Sequence, residues 1–191
     1  MYAYGGAYDT ALPKNKDGSY GPISLGVQLP YFNYVFSTMY VNTNGLISFL
    51  EAYSTATLKS FPLTFPLIAP FWTDIDTLKG GQIYYRESSS SSDLTQAQID
   101  ISKVYFSTFN PTRLYITTWY LVAPYSGPIL YNTFQTVIAT DGILSFVIFN
   151  FQQMSWSYST SNHFGYNAGD NINYYFITVK CKLPGKMGFP C

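Results

Sequence analysis

The sequence predicts an all-β fold, a β-sandwich of two packed, mainly antiparallel sheets carrying one short α-helix near residues 93–106. Three observations lead there. Short runs rich in Val, Ile, Tyr, Phe and Thr fill most of the chain, separated by Gly, Pro, Asn and Asp. Asn44-Gly45 and Asp141-Gly142 each stand between two such runs, where a hairpin turn is expected. Apolar residues alternate with period two over long stretches.

The first hairpin joins Val35–Thr43 to Leu46–Leu50, because a two-residue type I′ turn needs positive φ at both central positions and Asn44-Gly45 supplies it. That turn predicts Thr43 opposite Leu46 and Tyr40 opposite Phe49, an aromatic cross-strand pair. The second joins Tyr131–Thr140 to Ile143–Phe151 through Asp141-Gly142, with Val137 opposite Phe146 and Phe134 opposite Phe149. In Ile143–Phe151 both alternating sets are apolar, the pattern of a central strand covered on both faces. Arg113–Val122 reads as a long strand with Leu114, Ile116, Thr118 and Tyr120 on one face and Tyr115, Thr117, Trp119 and Leu121 on the other; Pro124 and Gly127-Pro128 end it. The helix is predicted from Leu94, Ala97, Ile101 and Val104 at steps of three and four, with Asp93 and Gln96 resembling a capping box. The serine run Ser88–Ser92 before it reads as a surface loop.

Length sets one domain: 191 residues against roughly 150 per domain. Residues 1–179 form it, and Lys180–Cys191, with three of the ten basic residues and no strand pattern, reads as a divergent tail or linker. Hydrophobic residues make up 47% and charged residues only 10%, which excludes an intrinsically disordered chain. Ten Lys plus Arg balance ten Asp plus Glu without a basic cluster, so neither nucleic acid nor anionic lipid has an electrostatic reason to bind. The longest nearly apolar stretch, Ile143–Phe151, is far shorter than the ~20 residues that span a bilayer, so membrane insertion by this segment is not expected. The first residues carry no signal-peptide pattern, which is the expectation for an intracellular chain or for a piece of a longer one. Cys181 and Cys191 could close a terminal loop, pair elsewhere in a longer parent or stay reduced.

The chemistry-bearing residues are few. His163 is the single histidine, in Ser161-Asn162-His163-Phe164, with no nucleophile elbow, His-Glu-x-x-His or phosphate-binding loop in the chain, and it reads as structural. Glu51 and Glu87 are the two glutamates, and their spacing does not pair them for glycoside hydrolysis. Asp74 and Asp76, in Trp72-Thr73-Asp74-Ile75-Asp76, project to one side if extended. Two carboxylates so placed could begin a calcium site, since calcium takes six to eight oxygens, or could cap a turn. Trp72 and Trp119 lie in apolar runs and read as core, whereas Trp156 is expected half-exposed, where it could meet a ligand.

Many short blocks stand in one order: Asp9-Thr10-Ala11-Leu12-Pro13, Gly26-Val27-Gln28-Leu29-Pro30-Tyr31-Phe32, Tyr40-Val41-Asn42-Thr43-Asn44-Gly45-Leu46-Ile47-Ser48-Phe49, and Pro66 through Thr77 with its Trp72-Thr73-Asp74-Ile75-Asp76. Gly81-Gln82-Ile83-Tyr84-Tyr85-Arg86-Glu87, Thr117-Thr118-Trp119, Asn132-Thr133-Phe134-Gln135, Thr140-Asp141-Gly142 and Phe164-Gly165-Tyr166-Asn167-Ala168-Gly169 continue the series. Together, over about residues 9–175, they resemble the nidogen-like, or NIDO, extracellular domain, and the resemblance implies an extracellular module of matrix or cell-surface proteins, associated with cell–matrix adhesion and without catalytic residues. Lys180–Cys191 departs from the family's closing strand, which implies a missing last strand and an open sheet edge. Two other classes stand beside it: a carbohydrate-binding sandwich using exposed Tyr and Trp, with calcium at Asp74 and Asp76, and a carboxylate-dependent hydrolase, the least supported.

Overall fold

A computed structural model describes residues 1–105, 108–158 and 163–176. Cys181, Cys191 and the boundary at residues 179–180 lie outside them, as does the side chain of His163. Strands are β1 (Thr10–Ala11), β2 (Ser19–Tyr31), β3 (Tyr34–Asn42), β4 (Leu46–Ser48), β5 (Leu67–Trp72), β6 (Gln82–Ser88), β7 (Arg113–Val122), β8 (Asn132–Thr140), β9 (Ser145–Met154), β10 (His163–Asn167) and β11 (Tyr174–Phe176), with helix α1 at Ser91–Ser102 between β6 and β7. They form two sheets, ordered β1-β6-β7-β8-β9 and β11-β10-β5-β4-β3-β2, and every pairing is antiparallel. The predicted all-β sandwich with one short helix is the observed fold.

Between the sheets lies the main core: Leu29, Met39, Val41, Ile47, Phe49, Ile68 and Phe71 from one side against Ile83, Tyr115, Trp119, Phe134 and Ile138 from the other. Each sheet is also covered outside. Ala97 and Ile101 of α1, with Tyr2 and Phe109, pack on Leu114, Ile116, Val137 and Ala139 of the five-stranded sheet. Phe61 and Leu63, from the segment after β4, cover Leu46, Leu67, Ala69 and Trp72 of the six-stranded one. Four layers result, which is why β5 and β8 are buried along their whole length. Period-two alternation of polar and apolar residues disappears where both faces are dry.

β7 has the two faces expected of it, Leu114 and Ile116 toward the helix, Tyr115 and Trp119 toward the other sheet. β9 does not have the expected central place. Among the described residues it pairs only with β8, at the sheet edge, and is half-buried; β7 and β8 are the central strands. Its two apolar sets reflect two partly covered faces, with Phe146 and Ile148 toward the helix side and Val147 and Phe149 toward the main core.

Both hairpins form, each in a register different from the expected one. Asn42 pairs with Leu46 and Tyr40 with Ser48, leaving a three-residue loop, Thr43-Asn44-Gly45, instead of a two-residue one. Gly45 alone takes positive φ, 77°, and its N–H donates to Asn42 O at 3.3 Å, a type I turn closed by a left-handed glycine. Phe49 therefore misses Tyr40 and stacks on Phe36, with centroids 4.7 Å apart. In the second hairpin Asp141 N–H donates to Leu144 O at 3.3 Å and Gly142, φ 90°, takes the first central position. The turn advances by one residue, so Val137 meets Ile148 and Phe134 meets Phe151. A shift of two in the pairing keeps every side chain on its face.

The helix starts earlier than predicted because Ser90, and not Asp93, is the N-cap, its side chain accepting from Asp93 N–H at 3.3 Å. The serine run is thus the last residue of β6, the cap and the first helical turn. Val104 lies beyond the helix and is exposed.

Candidate functional site

The two ends of the β2–β3 hairpin, on the order of 25 Å apart for strands of this length, carry the two groups of residues with functional character. At one end Asp74, Ile75 and Asp76 run extended beside Ala123–Tyr125: Asp76 N–H donates to Ala123 O and Tyr125 N–H to Asp74 O, both at 3.0 Å. Ile75 enters the core, so alternation turns both aspartates the other way, as the sequence predicts. Their roles differ. Asp76 is buried, and its Oδ1 accepts from Leu78 N–H at 2.9 Å, capping its own turn. Asp74 keeps an enclosed Oδ1 that accepts no hydrogen bond.

Asn44 fastens this segment to the first hairpin. Its Oδ1 accepts from Ile75 N–H and its Nδ2 donates to Asp17 Oδ1, both at 2.9 Å. Thr77 and Asn15 exchange hydrogen bonds at 2.7 Å. Lys16 lies over the Tyr125 ring at 3.5 Å, and Lys79 donates to Tyr125 O. Burial, and next to it the charge of Asp17, raise the Asp74 carboxyl above its usual range, and Lys16 counters them. An acid so raised costs the fold stability once ionised, a cost present above its folded pKa and gone below the ordinary Asp value near 4. Asp74→Asn is therefore expected to raise the melting temperature at neutral pH, with the difference closing as pH falls below about 4; thermal unfolding in chelator across that range measures it. Among the described residues, no three His, Cys, Asp or Glu side chains gather to hold a metal ion.

The other predicted residues do not join this group. Glu87 sits in β6 and pairs with Arg113 at 2.9 Å, while Glu51 is exposed in the segment after β4. All three tryptophans are buried, including Trp156, which was expected half-exposed. Trp156 Nε1 donates to Val122 O at 3.0 Å, and the ring packs on Phe71; its serine-flanked context concealed a core position.

At the opposite end the sheets part around an uncharged cleft of about 440 Å³, lined by residues that include Tyr31, Phe32, Tyr105, Leu144, Phe146 and Tyr166. Phe32 stands at φ 52° in the Tyr31–Tyr34 hairpin, a left-handed position that usually goes to Gly, and the residue is 41% exposed at the cleft's edge. The Tyr31 ring meets it edge-on at 5.0 Å and Tyr166 lies 5.8 Å away. Leu144 and Tyr105, more than half exposed, complete an apolar rim. Sequence reasoning missed this site: the one local signal was Asn33 between two β-prone runs, and propensity argues against a positive φ at Phe.

The fold therefore presents an uncharged aromatic cleft at one end and a closed polar knot at the other. The family model described as the nidogen-like domain matches residues 37–182. The chain belongs to that family. It is 34% identical to mouse alpha-tectorin over 95% of its length, 32% identical to mouse nidogen-2 over 99%, and 30% identical to the Caenorhabditis elegans dendrite extension defective protein 1 over 92%. It covers 10%, 14% and 16% of those proteins, so it corresponds to a small part of each. No solved structure matches the chain significantly.

Two of the blocks that carry the likeness meet in the polar knot. In this nidogen-like domain Asn44-Gly45 and Asp74-Ile75-Asp76 hold each other through Asn44, and Gly45 O accepts from Phe71 N–H at 3.4 Å. A third, Phe164–Gly169, supplies Asn167, whose side chain accepts from Leu63 N–H at 2.9 Å and donates to Phe65 O at 2.8 Å. In this chain each of these side chains answers a backbone group.

Proposed function

We propose that this nidogen-like domain is a non-catalytic, extracellular interaction module of a matrix or cell-surface protein, and that it supports cell–matrix adhesion through protein–protein contact at the Phe32 cleft, without a metal. Family membership supports the setting. The single observation that carries the contact surface is Phe32, an aromatic ring held half-exposed on strained backbone at the mouth of an uncharged cleft. Strain of this kind, of order 1–3 kcal/mol, persists where the surroundings impose it and is found at ligand clamps. Partly exposed aromatic groups suit protein interfaces because they bring area at low entropic cost. With Asp76 engaged in its own turn and the charge of Lys16 countering that of Asp74, this reading assigns the acidic pair no metal. The carbohydrate reading loses its tryptophan with the burial of Trp156 and is left with exposed tyrosines.

Phe32→Gly separates binding from folding. Relief of the left-handed strain offsets the lost ring contacts, so stability is expected to stay within about 1 kcal/mol of wild type. Attachment of cultured fibroblasts to the coated domain is expected to fall to background, and to be equal in calcium and in chelator for the wild type. Full attachment by Phe32→Gly would move the contact elsewhere; calcium-dependent attachment would return the metal to Asp74 and Asp76. Signal on a glycan array would favour the carbohydrate-binding reading.

A further inference from the structure

We infer that β9 is a self-association edge, pairing antiparallel with the β9 of a second copy of this chain. Among the described residues the two sheets have four edges, formed by β1, β2, β9 and β11, and β11 is described only as far as Phe176. β1 has two residues. β2 is long, but contains Pro22 and Pro30 and is interrupted twice in its pairing with β3. Short strands, prolines and bulges are the devices that prevent edge-to-edge pairing. β9 has ten residues, SFVIFNFQQM, without Pro, Gly or charge, and its one irregularity lies toward its end, opposite Thr133 and Phe134. Among the described residues nothing pairs with its outer side.

The choice of a second copy follows from charge and symmetry. An antiparallel pair about a two-fold axis sets β9 residues opposite β9 residues, so any charge would meet its like or lie close to it. From Gly142 to Gly169 the sequence contains no Asp, Glu, Lys or Arg. Self-pairing therefore meets no repulsion along the strand. Ile143 and Leu144, both exposed at its start, extend the apolar character past the turn. The turn also fixes which backbone groups are free. Asp141 N–H bonds to Leu144 O, so by antiparallel alternation Phe146 and Ile148 bond to β8, while the N–H groups of Ser145, Val147 and Phe149 point outward.

Sedimentation velocity and residue-resolved amide exchange on this chain, from about 1 to about 300 µM, test the inference through mass action. The expected result is a sedimentation coefficient that rises with concentration, together with exchange at Val147 and Phe149 slowed about tenfold or more while Phe146 and Ile148 stay unchanged. Val147→Pro removes an outward donor without breaking a bond to β8 and is expected to stay monomeric. Ser145→Lys, a charge at the start of the edge, gives the same expectation should the proline variant fail to fold. A chain monomeric throughout would overturn the inference. So would association that leaves the Val147 and Phe149 amides unaffected, or protection of both that is already complete at the lowest concentration, since the edge would then be covered within one chain.

Discussion

Replacing Arg86 with Met should lower the melting temperature by about 6–12 °C, a loss of about 3 kcal/mol for a domain of this size. Arg86 Nη1 contacts Asp9 Oδ1 at 2.8 Å and its Nη2 contacts Asp93 Oδ2 at 3.0 Å, with 11% of the Arg86 side chain and 1% of the Asp9 side chain exposed. Nη1 also donates to Ala3 O. One guanidinium thereby ties the amino-terminal segment and the first turn of α1 to β6, while Tyr2 and Gln135 exchange backbone and side-chain hydrogen bonds on the outer face of the same sheet. Methionine keeps much of the volume and leaves two carboxylates, Asp9 enclosed and Asp93 partly so, without their cation and with the hydrogen bonds from Gly5 N–H and Ser88, which is why the expected loss exceeds that of a surface ion pair. The pH dependence has a definite sign. Burial alone would raise the Asp93 carboxyl, but hydrogen bonds from Ser88 and Arg86 outweigh it and hold it below the usual range. Its contribution is present above the ordinary Asp pKa near 4 and is lost as pH falls through the lower folded value. In the variant protonation relieves the unpaired Asp93 carboxylate, so the gap from wild type narrows in acid. Urea unfolding at neutral pH and near pH 3 measures both. A loss under about 1 kcal/mol would mean that apolar contacts of Tyr2 and α1, and not the ion pairs, hold this layer.

Gly45→Ala should cost about 3–5 kcal/mol, near the upper limit for one methyl group. A Cβ on Gly45 would stand 2.0 Å from Phe71 O and 2.9 Å from its carbonyl carbon, both backbone atoms, and φ is 77°. Neither the clash nor the left-handed backbone can be relieved without moving β5 away from the turn. Gly142→Ala is the control: its φ is also positive, 90°, but it has open space around it, so it should lose only about 1 kcal/mol. Equal losses at the two glycines would show that conformational strain, and not the approach of β5 to the turn, sets the requirement.

Long strands and turn positions were legible in the sequence; registers were not. Asn44-Gly45 is as compatible with a three-residue loop ending in a left-handed glycine as with a two-residue one, and the choice is made by contacts far along the chain, Asn44 with Ile75 and Gly45 with Phe71. In the same way Asp141-Gly142 advances by one residue because the Asp141 Oδ1 accepts from both Ile143 and Leu144 N–H. The apolar run of β9 was read as central because edge and centre look alike when α1 and the other sheet cover the two faces. Of the candidate site, the run Asp74-Ile75-Asp76 is legible as an extended segment, but the surroundings of its two carboxyl groups, Asn44, Asp17 and Lys16, come from other loops. Phe32 was hidden because its conformation opposes its propensity, and tertiary packing decides it.

Two of the blocks shared with the family, Asn44-Gly45 and Asp74-Ile75-Asp76, close one end of the sandwich, while the aromatic cleft proposed to make the contact lies at the other end and takes Tyr31, Phe32 and Tyr166 from further shared blocks. Fibroblast attachment to coated wild type, Phe32→Gly and Asp74→Asn, measured side by side on folded protein, tests that contact most directly. Attachment lost in Phe32→Gly and kept in Asp74→Asn is the predicted result. Attachment kept in Phe32→Gly and lost in Asp74→Asn would contradict it.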